Sequence, residues 1–159
     1  MGHKMDASSG NEHSLPEPHA GTDPVVSVVV PAFNEAENIP LLYRRLAEVL
    51  PQAVSRNWEV IFADDGSRDT TWSVICALAA EDPNVRGVRL SRNFGHQYAL
   101  LAGLEAAEGD AVIMMDCDLQ HPVEMIPRLI EQWRGGFKVV KTVRHDDCQI
   151  GWFKRWTSR

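Results

Sequence analysis

Three short acidic clusters carry most of the chemistry this sequence can offer: Asn34-Glu35, Asp64-Asp65 and Asp116-Cys117-Asp118. Brought to one place, their five carboxylates would repel one another and raise their own pKa values unless a cation sat among them. Asp116 and Asp118, two residues apart, can direct oxygens to a common point. Hard oxygen donors of that kind suit Mg2+ or Mn2+, which keep coordination positions open for phosphate oxygens. Gln120 adds a neutral oxygen to the same stretch. Taken singly, Asp65 or Asp69 is equally well explained as a helix or turn cap. The Asp116/Asp118 pair, set beside the other two clusters, is not.

Something must bring these clusters together, and the hydrophobic pattern supplies it. Val25 to Val30 is a β-branched run of the kind found in strands buried on both faces, interrupted at Pro31. A helical pattern follows, with Ile39, Leu42, Leu46 and Val49 on one face, Asn34 or Asn38 as cap and Pro40 in the first turn. Trp58 to Ala63 reads as a second strand, Asp69 to Glu81 as a second helix burying Trp72 and Ile75, and Val85 to Leu90 as a third strand. Tyr98, Leu101 and Leu104 mark a third helix closed by Gly109, and Ala111 to Met115 a fourth strand. Pro122 opens a helix carrying Ile126, Leu129, Ile130 and Trp133 that stops at Gly135-Gly136, and Phe137 to Val143 reads as a fifth strand. Such alternation with short connections predicts an α/β fold with a mostly parallel sheet and helices on both faces. Ligands then bind at the carboxyl ends of the strands, where all three acidic clusters fall.

The bulk properties narrow the function classes. A 159-residue chain, 44% hydrophobic and 24% charged, suits one globular domain. Its net charge of -6 argues against general nucleic-acid binding. Residues 1–23 are rich in Gly, Ser, Pro and His and are expected to form a disordered arm, whose His3, His13 and His19 are read as solvated. No apolar run approaches the ~18 residues that a membrane span requires. The amino terminus lacks a signal-peptide layout, so a cytoplasmic location is expected. Cys76, Cys117 and Cys148 form neither a disulfide framework nor a CxxC metal site.

Val-Pro-Ala-Phe-Asn-Glu at 30–35, Asp-Asp-Gly-Ser at 64–67 and Asp-Cys-Asp-Leu-Gln-His-Pro at 116–122 resemble glycosyltransferase family 2. Within it they look like the polyprenyl-phosphate hexosyltransferases, which include dolichyl-phosphate mannose synthases and bacterial undecaprenyl-phosphate sugar transferases. Asn93-Phe94-Gly95-His96-Gln97 and Gly151-Trp152-Phe153-Lys154-Arg155 point to the bacterial branch. The resemblance implies a GT-A fold, a Rossmann-like nucleotide-binding half, over residues 24–145. It implies a nucleotide-sugar pocket lined by Pro31, Phe33 and Glu35, with Asp64 on the base edge and Asp65 shaping the same loop. Asp116 would face the ribose and metal, and Asp118 with Gln120 would hold Mg2+ or Mn2+ against the diphosphate, making Asp116 and Asp118 the catalytic pair. Cys117 stands where the family usually has Ala, and a small side chain suffices there. The implied partners are a nucleotide-sugar donor, UDP-linked rather than GDP-mannose, a polyprenyl-phosphate acceptor and the cytoplasmic face of a membrane.

Arg144, Lys154, Arg155 and Arg159 are candidates for an acceptor-phosphate cradle or for headgroup contact. Trp152, Phe153 and Trp156 make 146–159 a basic, aromatic segment, read either as a membrane contact or as a helix docking on further protein. A direct catalytic role for His96 or His121 is not the expected one. The family implies an acceptor-binding region beyond this segment, so the chain is expected to be a fragment, or a donor-binding module without turnover. An edge left open by such a truncation is expected to favour self-association. A receiver-type signalling domain is the distant alternative, disfavoured because a strand and the Pro31-to-Glu35 loop precede the first acidic pair.

Overall fold

The computed structural model describes residues 25–54 and 57–142, so the expectations for the 1–23 arm and the 146–159 segment lie outside it. Within it the elements run β1 (Val26–Ala32), α1 (Asn38–Val54), β2 (Trp58–Asp64), α2 (Thr71–Glu81), β3 (Val85–Arg89), α3 (His96–Ala106), β4 (Ala111–Met114) and α4 (Ile126–Arg134). A single 3₁₀ turn, Val123–Met125, leads into α4. The sheet order is β3-β2-β1-β4, and every pairing is parallel. The expected α/β architecture is therefore present, with β1 in the interior of the sheet.

The period-2 pattern of β1 explains how both faces are covered. Val26, Val28 and Val30 enter a core shared with Ile39, Leu42, Leu46 and Leu50 of α1 and with Ile126 and Ile130 of α4. Each such side chain contributes roughly 1.5–3 kcal/mol on burial. That is enough to hold the last turn of α1 against Pro51, whose missing N–H costs about 3 kcal/mol in a helix interior. Val29 points to the other face, where α3 lies on β1 and β2. The approach there is close: a Cβ on Gly103 would come within 2.4 Å of Val29 Cγ1.

That close approach decides which face of α3 is buried, in a helix found where the sequence reading places it. Helix α3 buries Ala99 and Gly103, while Tyr98 and Leu101 remain exposed at 62% and 51%. The small residues sit where helix and sheet approach most closely, so Tyr98 and Leu101 turn outward while Leu100 and Leu104 are half-buried. The departure from the sequence reading is the fifth strand. Residues 137–142 form no strand, and Phe137 and Val139 are exposed, because no described strand pairs with them; Val143 lies outside the described residues. Lys138 to Thr142 instead flank a groove of about 460 Å³ between β4 and α4.

At the amino ends of the strands a polar network pins the α3–β4 connection. Glu59, 9% exposed, accepts from Ser27 Oγ at 2.6 Å, from the Glu108 N–H at 2.8 Å and from Arg86 at 2.9 Å, and Ser27 Oγ accepts from the Gly109 N–H. Burial pushes the Glu59 carboxyl up, but the bonds from Ser27, Glu108 and Arg86 outweigh it and leave the group below its ordinary value of 4.5. A carboxyl with a depressed folded pKa stabilises the fold fully above its unfolded value and loses that contribution as pH falls through the folded one. The melting temperature of the parent is therefore expected to exceed that of Glu59→Gln most at neutral pH. The gap should close as pH drops below about 4.5. A gap that stays constant from pH 7 to pH 3 would contradict this account.

Candidate active site

Each strand end contributes one wall. Beyond β1 the chain turns through Asn34, which sits at φ 57°, a left-handed conformation that costs a non-glycine residue energy and recurs at functional loops. Its N–H donates to Ser67 Oγ, and its side-chain oxygen accepts from the Arg68 N–H, so the first loop is sewn to the second. Neither bond caps α1; Asn38, the first residue of the helix, donates instead to the Glu35 carboxylate at 2.7 Å. The Glu35 N–H in turn donates to Thr71 Oγ1 at the start of α2.

The two aspartates after β2 do different things. Asp64 remains in register with Ala32 and Arg89 as the last residue of its strand and is fully buried. Its Oδ1 accepts from the Ser67 N–H, and Arg89 Nε lies 3.2 Å from Oδ2, a charge pair without hydrogen-bond alignment. Asp65 reaches across to α3: Oδ1 accepts from the Phe94 N–H at 2.8 Å and Oδ2 from the Gly95 N–H at 2.9 Å. A carboxylate gripping two successive amides fixes the loop that starts α3.

After β4 the chain presents Asp116, whose Oδ1 lies 3.0 Å from His96 Nε2. Cys117 follows, buried in the core cluster. Burial, then the charges of Glu35, Asp118 and Asp116, push its thiol up to about 12, so it stays protonated and a redox or nucleophilic role is disfavoured. Asp118 is exposed, with Oδ1 accepting from the Gln120 N–H across Leu119, a second left-handed residue at φ 61°.

These loops enclose a cavity of about 330 Å³. Of the residues singled out in the sequence, Pro31, Phe33, Glu35, Asp65, Asp116, Cys117 and Asp118 line it. Asp64 does not: fully buried, it offers no surface to a ligand, and Asp65 is the member of the pair that faces the cavity. Gln120 is exposed and outside the lining, and Arg144, Lys154 and Arg155 lie outside the described residues. The structure adds Ala32, Asn93, Gly95, His96 and Ala99. For Asn93, Gly95 and His96 the sequence signal was the Asn93-to-Gln97 motif, which marks a family branch but says nothing of which wall it builds; Ala32 sits in the 30–35 motif, and Ala99 carried no signal. A smaller cavity of about 130 Å³ lies behind the His96–Asp116 pair, and beside it His121 has a buried Nδ1 with no hydrogen-bond partner.

Among the described residues no group of three or more His, Cys, Asp or Glu side chains is set to hold a metal unaided. The donor chemistry nonetheless fits a hard cation. Asp116 and Asp118 each use one oxygen locally, leaving a second on each, and Mg2+ or Mn2+ is commonly held by one or two carboxylates with water and phosphate filling the shell.

The family model for glycosyl transferase family 2 matches residues 27–159. A prophage bactoprenol glucosyl transferase homolog of Escherichia coli is 47% identical over 133 residues, covering 84% of this chain and 43% of its own length. The chain thus spans less than half of that relative. Among solved structures, glucosyl-3-phosphoglycerate synthase from Mycobacterium tuberculosis, in complex with Mn2+, UDP and phosphoglyceric acid, is 29% identical with a TM-score of 0.56 over 71% of this chain and 40% of that one. A mannosyltransferase from Pyrobaculum calidifontis in complex with GDP-Man and Mn2+ is 28% identical with a TM-score of 0.54, covering 68% and 32%. The GT-A fold expected from the motifs agrees with these likenesses. The family match leaves no place for the receiver reading.

Proposed function

Because the chain belongs to glycosyl transferase family 2, we propose that it forms the donor-binding half of an enzyme that moves a hexose from a nucleoside-diphosphate sugar to a polyprenyl phosphate, undecaprenyl or dolichyl. The observation that carries this reading is the convergence of three strand-end loops on one cavity with Asp116 and Asp118 at its wall. The bactoprenol relative supports the lipid acceptor, and the two solved structures, bound to UDP and GDP-Man, support a nucleotide donor.

In this reading the nucleotide lies against Pro31, Phe33 and Glu35, with Asp65 rather than Asp64 at the base and the diphosphate toward Asp116 and Asp118. A divalent cation held by those two carboxylates would supply electrostatic stabilisation to the departing diphosphate. A lipid phosphate is already anionic near neutral pH, so the protein needs to orient it more than to deprotonate it. Arg144, Lys154 and Arg155 are the proposed cradle, working at the cytoplasmic face of a membrane. Among the described residues no helix is long and apolar enough to cross one.

UDP is the proposed nucleotide. Calorimetric titration of UDP and GDP into the protein at its full encoded length, with and without Mn2+, tests this beside Asp118→Ala. UDP should bind with Mn2+ present and lose at least tenfold in affinity in the variant. GDP binding alone would replace UDP in the reading. A folded protein that binds neither would overturn the donor site.

A further inference from the structure

We propose that His96 is a positioning residue for Asp116, holding one carboxylate oxygen so that the other is presented to the cavity; this rests on the assignment of Asp116 as a metal-holding group.

An ionised carboxylate can only accept, so at 3.0 Å from Asp116 Oδ1 the His96 Nε2 must carry the proton and donate. Both side chains are about half exposed, 54% and 49%, and a pair so open to water contributes little to stability. Geometry is where the contact matters. The ordered sheet places β1 between β2 and β4, so the loops that follow β2 and β4 are not neighbours. His96 spans that gap. It is the first residue of α3, and the two amides before it are gripped by Asp65 from the end of β2. The carbonyl of Gly95, at φ 103°, accepts from the Tyr98 and Ala99 N–H groups and closes the first turn of the helix behind it. The Cα of His96 is therefore fixed from β2, while its ring fixes a carboxylate that follows β4.

Asp116 lacks an equivalent hold from its own loop, where the bond between the Gln120 N–H and Asp118 serves its neighbour instead. Without His96, the Asp116 carboxylate would rotate about χ2 between cavity and solvent. Groups that orient a metal-holding carboxylate in this way typically change metal affinity 10- to 100-fold when removed.

The test is Mn2+ binding, followed by the loss of the free-ion electron paramagnetic resonance signal. It uses the protein at its full encoded length with saturating UDP or GDP, whichever binds. His96→Ala should weaken Mn2+ by about tenfold or more. His96→Gln, whose amide Nε2 can donate from nearly the same place, should stay within about threefold of the parent. His96→Asn, too short to reach, should resemble His96→Ala, so the Gln and Asn pair decides the matter if the Ala variant does not fold. Asp116→Asn marks complete loss. Equal Mn2+ affinity in parent and His96→Ala, or in folded Gln and Asn variants, would overturn the positioning role alone. A parent that binds no Mn2+ would overturn the metal assignment and this role with it.

Discussion

Gly66→Ala is expected to be the most destabilising single substitution at the site. Gly66 sits at φ 68°, and a Cβ there would lie 2.4 Å from the carbonyl carbon of Arg92, 2.7 Å from its Cα and 2.8 Å from the Asn93 nitrogen. These are backbone atoms and cannot swing aside as a side-chain end would. The left-handed conformation alone costs alanine about 1–2 kcal/mol. Relieving the clash means moving the 92–95 segment away from Asp65, whose two bonds to it are of the charged kind worth about 1.5–3 kcal/mol each. A total loss on the order of 4 kcal/mol, and a fall in melting temperature on the order of 10 °C, follows for a domain of this size. A thermal melt by circular dichroism checks it, and a shift under about 2 °C would mean that the loop yields freely. The same displacement carries His96 away from Asp116, so nucleotide binding with Mn2+ should weaken even below the melting range.

The largest effect on activity is expected from Asp116→Asn. The amide keeps the shape of the carboxylate and an oxygen for His96, so the melting temperature should hold. It removes the negative charge that a cation needs beside the departing diphosphate. Losing one preorganised electrostatic contact of this kind costs about 2.7–4 kcal/mol in the transition state, or 10²- to 10³-fold in rate. Sugar transfer to a polyprenyl phosphate by the full-length protein is the assay. An Asp116→Asn enzyme retaining more than about a tenth of the parental rate would remove Asp116 from the mechanism.

Much of this was legible in the residues because two periodicities agree. The β-branched run of β1 and the apolar faces of α1 and α4 predict a parallel α/β sheet, and its strand ends then locate the acidic clusters without further information. What periodicity does not reveal is which side of a strand end lies open. Asp64 and Asp65 are adjacent and identical in type, yet the sheet pairing continues through Asp64 and seals it, while Asp65, itself only 3% exposed, borders the cavity one residue later. The residues that mark helix α3 locate it correctly but do not identify the face it buries. Its large apolar residues suggest the buried face, but Gly103 and Ala99 sit where the helix comes nearest the sheet. At Phe137 the composition of a strand is present without a pairing partner among the described residues, and strand propensity reports fitness for a pleated surface rather than the presence of one. The place of His96 depends on three elements meeting, which no local window contains.

The interior position of β1 also sets a schedule for the nascent chain. Among the described strands the earliest made, β1, is flanked by the second and the fourth, and the bond from the Val25 N–H to Asp110 joins residues 85 apart. At roughly 5–20 residues per second, synthesis of that stretch lasts about 4 to 17 s. Throughout it, one side of the β-branched strand β1 lacks its native neighbour β4. Substitutions that weaken β4 should therefore lower the yield of folded protein made in cells more than they lower the activity of the molecules that mature.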